Sequence, residues 1–581
     1  MAERHEKGRA DLQRWQRHQP TNFYADHRQL QRLLRRLMPS ARLANHEAHL
    51  AHFGAAVATT LDRAAIANNR EGNTPRLDRW SPIGERTEGI EHHPSYEACG
   101  RAIYEVGRVI AVYAEPPANL HAQALFYLSS HVGEAGHNCP VACTAGIARV
   151  LQGPASEALR ARYLPGVLSS RWCERLDGAQ FLTELQGGSD VGSNAVVAVP
   201  DGEALGTTRW RIHGEKWFCS NAGADLILLT ARVAGGADGT AGLGLFLLPR
   251  RLDDGSVNHF RLRRLKEKLG TRSMPSAEID FEGAVAYAIG HVEDGFKHVM
   301  NNVINTSRLY NTSGCAGIAH RAHLVAAGYA AAREAFGRPI AAYPLVQEML
   351  ARTFATHAVL LAGTLTLASA LDAVELGLSG EAERGFVRVA VNLAKMASCQ
   401  HSHRVVLTAI ETLGGNGAIE SFSVLPRLLR DNVVYENWEG THNTLVAQTL
   451  RDLHRAPLRE AMVNGVAGWL RAVPGCAEVL APAAAALAAF QAAWPAIAAE
   501  PDAGLAALLL RPHAEALADT LFAAAYAADL EAEPDADRRA GEREALGLFV
   551  AHHLAPLAPV RDRAYAASVA RVAALEVPGA G

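Results

Sequence analysis

A chain of 581 residues exceeds what one hydrophobic core organises, so three or four structural units are expected. A formal net charge of -3 with a 49% hydrophobic share describes an ordinary soluble protein, with no global electrostatic pull toward nucleic acid or an anionic membrane. The eight cysteines are scattered without a CxxC pair, which argues for reduced core thiols rather than a disulfide scaffold.

In chain order, the start MAERHEKGRADLQRWQRHQP is charged and lacks an apolar h-region, which argues against a secretory signal and for a cytoplasmic protein. From Gln29 to about Ala179, segments such as RQLQRLLRRLM and SYEACGRAIYEVGRVIAVYA carry apolar residues at three- and four-residue spacing. Breaks fall at Pro39, Pro82, Pro116 and Pro154. Residues 1–180 therefore read as a charged arm and a helical domain. In 181–290 the period changes: WRIHGEKWFCS alternates around a Gly turn, and DLILLTARV and LGLFLLPRR are short aliphatic runs, which predicts a small antiparallel β-domain. Long helical patterns return in 291–454.

An Ala-rich helical extension follows in 455–581, with about ten Arg against about fifteen Asp and Glu and no Lys, a weakly acidic balance. Its uncharged run Val479 to Ala499 has the length of a membrane span, but Pro482, Gln491 and Pro495 favour buried bundle helices. Twenty-five histidines are many, yet HExxH is absent. His401 with His403 and the pairs His92/His93 and His552/His553 lack convergent acidic partners in the sequence, so no metal is expected.

The chemistry concentrates in ETLGGNGAIESFSVLPRLLRDNVVYENWEGTHNT, residues 411 to 444. Glu439, flanked by Trp438 and Gly440 after an apolar pair, reads either as a surface residue between helices or as a desolvated carboxylate suited to act as a base. Gly414, Gly415 and Gly417 would let backbone approach a bulky ligand. FLTELQGGSDVGSN, 181 to 194, offers backbone N–H groups and a hydroxyl to an anionic or carbonyl-rich ligand. Neither loop fits the Rossmann template.

Taken in order, LTELQGGSD, GEKWFCSNAGAD, KLGTRS, REAFGRPI with Gln347, LGGNG and RDNVVYENWEGT resemble the acyl-CoA dehydrogenase family over roughly residues 90 to 452. The resemblance implies an α+β fold: an N-terminal helical domain, a middle antiparallel β-domain and a C-terminal four-helix domain, here followed by a helical extension, in a homotetramer that binds FAD. It places Thr183 and Ser189 at the flavin ring with Leu182 against it, Phe218 over the isoalloxazine and Ser220 near flavin N5, with Gly188 and Cys219 in the same two motifs. Arg333, Phe336 and Gln347 match the pyrophosphate and adenosine side, contributed across a subunit interface; Gly415 approaches the same phosphates, and Trp438, Thr441 and Asn443 continue the flavin contact.

By the same resemblance Glu439 is the catalytic base for α,β-dehydrogenation of an acyl-CoA, with the β-hydride passing to flavin N5. Ser189, Arg308 and Gly440 belong to the substrate side, and electrons leave through an electron-transfer flavoprotein. The alternative base position, before Arg308, holds Ser307, which cannot serve. At Glu411 the chain departs from the family's Gln, and that contact is not carried over.

The long arm, GHNCPVAC, RLKEKLGTRS and the extension are similar to the AidB-like branch, some members of which associate with DNA through a basic C-terminal region. The acidic extension disfavours that here. The alternatives are a DNA-associated protective flavoprotein with weak dehydrogenase activity, or a flavin oxidase or monooxygenase on the same scaffold. A DNA-binding reading would need RLRRLKEK (261 to 268) or LQRLLRR (30 to 36) to present free cations.

Overall fold

The computed structural model describes residues 2–555 and 563–575; the expected extension to 581 therefore includes 556–562 and 576–581, which lie outside the described residues. Two compact units emerge, cut differently from the expected domains. One gathers the N-terminal stretch as far as Thr59, Ser130–Gly133 and the chain from Asn311 onward; the other holds Thr60–Ser129 and Glu134–Tyr310.

The second unit is built on a seven-stranded sheet. Its longest pairing is antiparallel, Thr207–Ser220 against Ser276–Ala288. The circuit runs from Leu226–Val233 through Val197–Ala204, Thr207–Ser220, Ser276–Ala288 and Leu243–Pro249 back to Leu226–Val233, so it closes on itself. Closure removes the open edges that an isolated sheet would expose.

The sheet is mixed rather than wholly antiparallel: Leu226–Val233 pairs parallel with both Gly178–Phe181 and Val197–Ala204. The first six residues of that strand are all buried, as its unbroken LILL run requires of a strand covered on both faces. Phe181, Ile212, Ile227, Leu229, Phe246 and Phe260 fill the core.

A further hairpin, Arg76–Trp80 with Arg86–Glu91, lies inside the region that reads as helical. Its anchor is not a periodicity: Glu88, buried and at φ 47°, accepts hydrogen bonds from the Arg86 side chain (2.6 Å) and the Leu262 backbone N–H (2.6 Å).

In the first unit the Pro344–Glu375 and Glu381–Leu413 helices pack lengthwise, joined by Leu425–Asn437 and His442–Leu453. The extension supplies Ala456–Arg471, Ala481–Ala499, Ala503–Leu530 and Ala536–His553. Ala503–Leu530 lies against both long helices. It comes close enough that a Cβ on Gly363 would stand 1.9 Å from the Phe522 ring, so a larger residue is excluded there.

The N-terminal arm joins this unit through buried charge. Arg32 donates to Asp529 (2.6 and 3.1 Å), to Glu542 (2.7 Å) and to Glu533, and Arg28 also pairs with Glu533. Arg32 lies inside the stretch that reads as the helical domain, so the start of that stretch, and not only the arm before Gln29, belongs to the first unit.

Among the described residues two helices are long and apolar enough to cross a membrane, Pro344–Glu375 and Ala481–Ala499. The first is mostly buried in the bundle, and the second buries one face through Ala483, Leu487, Phe490, Trp494 and Ile497.

Candidate active site

In the first unit, Glu439 occupies the turn between Leu425–Asn437 and His442–Leu453. It stands at φ 57°, followed by Gly440 at φ 100°, a left-handed pair of which only the second is glycine. A non-glycine residue there costs about 1 kcal/mol or more and persists only when its surroundings over-determine it. Those surroundings are specific. Lys395, fully buried in the Glu381–Leu413 helix, donates from Nζ to the carbonyls of Gly440 (2.8 Å) and Glu436 (3.0 Å), fastening the turn at both ends.

On the near side of the turn, Trp438 stacks edge-on to Tyr435 with ring centroids 4.7 Å apart, and its indole N–H donates to Asn311 (2.5 Å). On the far side, Thr441 caps the next helix by accepting from the Thr444 N–H (3.5 Å). The Glu439 Oε2 is thereby shielded from solvent.

One helical turn earlier sits a second carboxylate, Glu436. Burial pushes it up, but hydrogen bonds from His403 and from His442 (3.4 Å) outweigh that and hold it at about 2. Two acids three residues apart thus have different environments: Glu436 is committed to its histidines, while Glu439 is carried on the strained turn.

The same unit holds the expected phosphate-side residues. Glu334–Ala335 and Arg338–Pro339 form a hairpin whose two turn residues, Phe336 and Gly337, both have positive φ, as a two-residue turn of the primed type requires. Phe336 is 97% exposed. Arg333 closes the hairpin by accepting from the Ile340 N–H (2.9 Å), and Gln347 lies in the first turn of Pro344–Glu375. Asp11 and Arg14 of the arm brace it, bonding the Glu334 N–H and the Ala332 carbonyl. Gly415 lies in an exposed turn, with nothing within 4 Å of where a Cβ would stand.

In the second unit, the 182–194 loop is locked from beneath. The buried pair Lys216 and Glu184 (2.7 Å) supports it: Lys216 also donates to the Leu182 carbonyl (3.0 Å), and Glu184 accepts from the Ala195 N–H (2.6 Å). Burial pushes Glu184 up, and Lys216 and these N–H groups outweigh it, leaving the carboxyl below its usual range. Thr183 packs on Gly188, where an added Cβ would stand 2.4 Å from its hydroxyl, and Ser189 is exposed. Along Thr207–Ser220 the pleat turns Phe218 outward, 53% exposed, and buries Cys219 in the sheet core, with Ser220 partly open. Cys219 can therefore offer a ligand only its backbone; burial also raises its thiol well above the ordinary value. Arg308 is buried, and Ser307 hydrogen-bonds Gln180 (3.4 Å).

This donor set suits a flavin dinucleotide. The second unit offers hydroxyls, an open Gly187 backbone and an exposed aromatic, which match a polar-edged ring; the first offers a guanidinium, an exposed aromatic and bare glycine backbone, which match a pyrophosphate and an adenine. Asn443 is exposed, and its carbonyl oxygen accepts from Arg511 of the extension (2.9 Å).

Lys395, Lys216 and Glu184 escaped the sequence reading. Their signal was a lone charge in an otherwise apolar helix, NLAKMASC, and an acid and a base inside two motifs read only for their outward residues.

One further expectation changes. His401 and His553 do meet an acid: His401 lies 2.6 Å from Asp519, which is 118 residues away in sequence and invisible to local spacing. The two basic stretches are internally paired. Arg261 and Arg263 bond Asp280, Arg264 and Lys266 bond Glu278, and Arg32 is enclosed by three acids, so neither stretch presents a row of free cations.

Family models follow the domain order read from the sequence. The adaptive response protein AidB N-terminal domain matches residues 15–173, the acyl-CoA dehydrogenase middle domain 179–284, and the acyl-CoA dehydrogenase C-terminal domain 293–454. Acyl-CoA dehydrogenase family member 11 of Caenorhabditis elegans is 31% identical over 445 residues, covering 74% of this chain and 70% of the relative. AidB of Escherichia coli is 32% identical over 410 residues, covering 68% and 72%. Among solved structures, C. elegans ACDH-11 in complex with C11-CoA superposes with a TM-score of 0.82 at 26% identity, covering 93% of this chain and 92% of that one. Bd2924 in its apo-form gives 0.79 at 29%, covering 87% and 97%. With this site on this fold, the chain belongs to the acyl-CoA dehydrogenase family, on its AidB-like branch.

Proposed function

We propose that this oxidoreductase removes the α- and β-hydrogens of an acyl-CoA thioester, with Glu439 as the base that takes the α-proton. The observation that carries the reading is the turn itself: a carboxylate held at positive φ by a buried lysine, one oxygen shielded from water, is a group whose position is specified at an energetic cost. FAD is the cofactor; when bound, it supplies the two-electron acceptor for the β-hydride.

The chain's own residues do the rest. Lys395 engages the Gly440 and Glu436 carbonyls and so fixes the backbone that carries the carboxylate; in a water-excluded site a reacting group held in place in this way needs no reorganisation at the moment of reaction. Glu436, already paired with two histidines, does not compete for the substrate proton. Trp438, packed edge-on against Tyr435, contributes apolar surface beside the carboxylate. Electron-transfer flavoprotein as acceptor, a homotetrameric assembly and a cytoplasmic setting belong to the same proposal.

The test is anaerobic mixing of FAD-loaded protein with straight and branched acyl-CoAs, C11-CoA included because a relative carries it, following loss of flavin absorbance. Wild type should bleach with one chain class, and Glu439→Gln should slow that bleaching by about 10²–10⁴-fold, the usual worth of a general base, while still binding the thioester. Bleaching by the variant at the wild-type rate would remove Glu439 from the role. Binding of every thioester without bleaching in wild type would remove the dehydrogenation reading.

A further inference from the structure

The extension meets the dehydrogenase core at a cluster that the flavin chemistry does not use. His401 comes from the middle of Glu381–Leu413, Asp519 from Ala503–Leu530, and His553 is the last residue of Ala536–His553. One ligand atom from each lies within 4.8 Å of the others. His401 and Asp519 are buried, and the two imidazole rings meet edge-on with centroids 4.5 Å apart. Beside them is a cavity of about 200 Å³, walled by Leu548 and Phe549 and by the polar groups of Arg352, Arg404, Glu348 and Glu411.

We propose that His401, Asp519 and His553 form a divalent transition-metal site, with Zn²⁺ the ion of best fit, whose remaining coordination position opens into this cavity. Two imidazoles and one carboxylate are the donor set that borderline metals select over Ca²⁺ or Mg²⁺, which take oxygen ligands. Three protein ligands leave a fourth position for water or a small anion. Bonds of about 2.0–2.1 Å require ligand atoms roughly 3.3 Å apart, so side-chain rotation must draw the wider pairs in by up to about 1.5 Å and move His401 and Asp519, now 2.6 Å apart, away from each other.

A plain His401–Asp519 hydrogen bond accounts for two members of the cluster but not for His553 edge-on against His401. Nor does it account for His401 Nδ1, which is buried without a hydrogen-bond partner among the described residues. The metal would fasten two helices of the extension to the Glu381–Leu413 helix, whose buried Lys395, six residues before His401, holds the Glu439 turn.

The experiment uses the full-length, FAD-loaded chain, stripped with chelator and dialysed against micromolar Zn²⁺. Metal content is read by mass spectrometry and Tm by circular dichroism. Wild type and the exposed-histidine control His52→Ala should retain about one zinc per chain and gain roughly 2 °C or more in Tm, as for any ligand that binds only the folded state. His553→Gln and Asp519→Asn should weaken zinc binding at least tenfold and abolish the shift. His553 ends its helix and is only partly buried, so its replacement tests the site with least demand on the core. Wild type without stoichiometric zinc, or His553→Gln and Asp519→Asn that bind it as wild type does, would overturn the proposal.

Discussion

At the scale of single residues, the buried ammonium of Lys395 decides where Glu439 stands. Its two carbonyl partners would lose their donor in Lys395→Met, and a buried polar group left unpaired costs about 1–3 kcal/mol, enough to let the turn relax out of the left-handed region. A misplacement of about 1 Å in a reacting group costs on the order of 10²-fold in rate. Lys395→Met should therefore lower the rate of flavin bleaching by about that factor while FAD remains bound. An unchanged single-turnover rate would show that the turn holds its shape without the lysine. Lys216 and Glu184 play the corresponding part beneath the Thr183 loop, so both segments are fastened by buried charged groups.

At the scale of elements, the Arg28–Leu37 helix and the extension are bound by one guanidinium among three carboxylates, all nearly inaccessible to solvent. Such a cluster is balanced only when complete. Removing one partner from a buried ion pair typically costs about 3–5 kcal/mol, because the charge left behind has lost its solvation. Arg32→Met leaves Asp529, Glu533 and Glu542 together, with Arg28 and Arg538 as residual partners. It should reduce stability by roughly that amount, read as a lowered Tm and as earlier proteolytic release of the arm. A loss below about 1 kcal/mol would mean that the arm is held by apolar contacts such as Trp15 stacked on Phe422 instead. The Phe336 hairpin is the opposite case, an element whose apolar tip is exposed within its own chain.

At the scale of the whole molecule, stability should depend on pH through a carboxyl pair in the sheet-bearing unit. Asp177 and Asp225 accept each other's backbone N–H groups (3.1 and 3.3 Å), with Arg175 on Asp177 (3.0 Å). Burial and the neighbouring Asp177 push Asp225 up to about 7, whereas Arg175 holds Asp177 below its usual range against the effect of burial. A raised folded-state value means the folded chain binds that proton more tightly than the unfolded chain. Its contribution is complete below about pH 4 and is lost as pH rises toward 7. Asp177 acts in the other direction, stabilising above about pH 4 and losing that effect in stronger acid. Asp225→Asn should therefore flatten the fall in Tm between about pH 4 and pH 7. Equal slopes in variant and wild type would remove the pair as its source.

The sequence by itself determined the helix, sheet, helix order, the family and the identity of the turn around Glu439. Periodicity and ordered motifs are local properties, and residues such as Thr183, Phe218 and Gly415 sit inside contiguous patterns that a reader can match. It could not reveal the closure of the sheet through two parallel pairings, the Arg76–Glu91 hairpin, or the inward side chain of Cys219 next to two outward neighbours. Nor did it disclose why Glu439 stays at positive φ, which depends on Lys395, 44 positions earlier and one helix away. Only the tertiary structure set Arg32 among acids some 500 residues distant and brought Asp519 to His401. Buried polar groups choose partners by position in space, and nothing in a linear spacing encodes which distant helix will stand beside them.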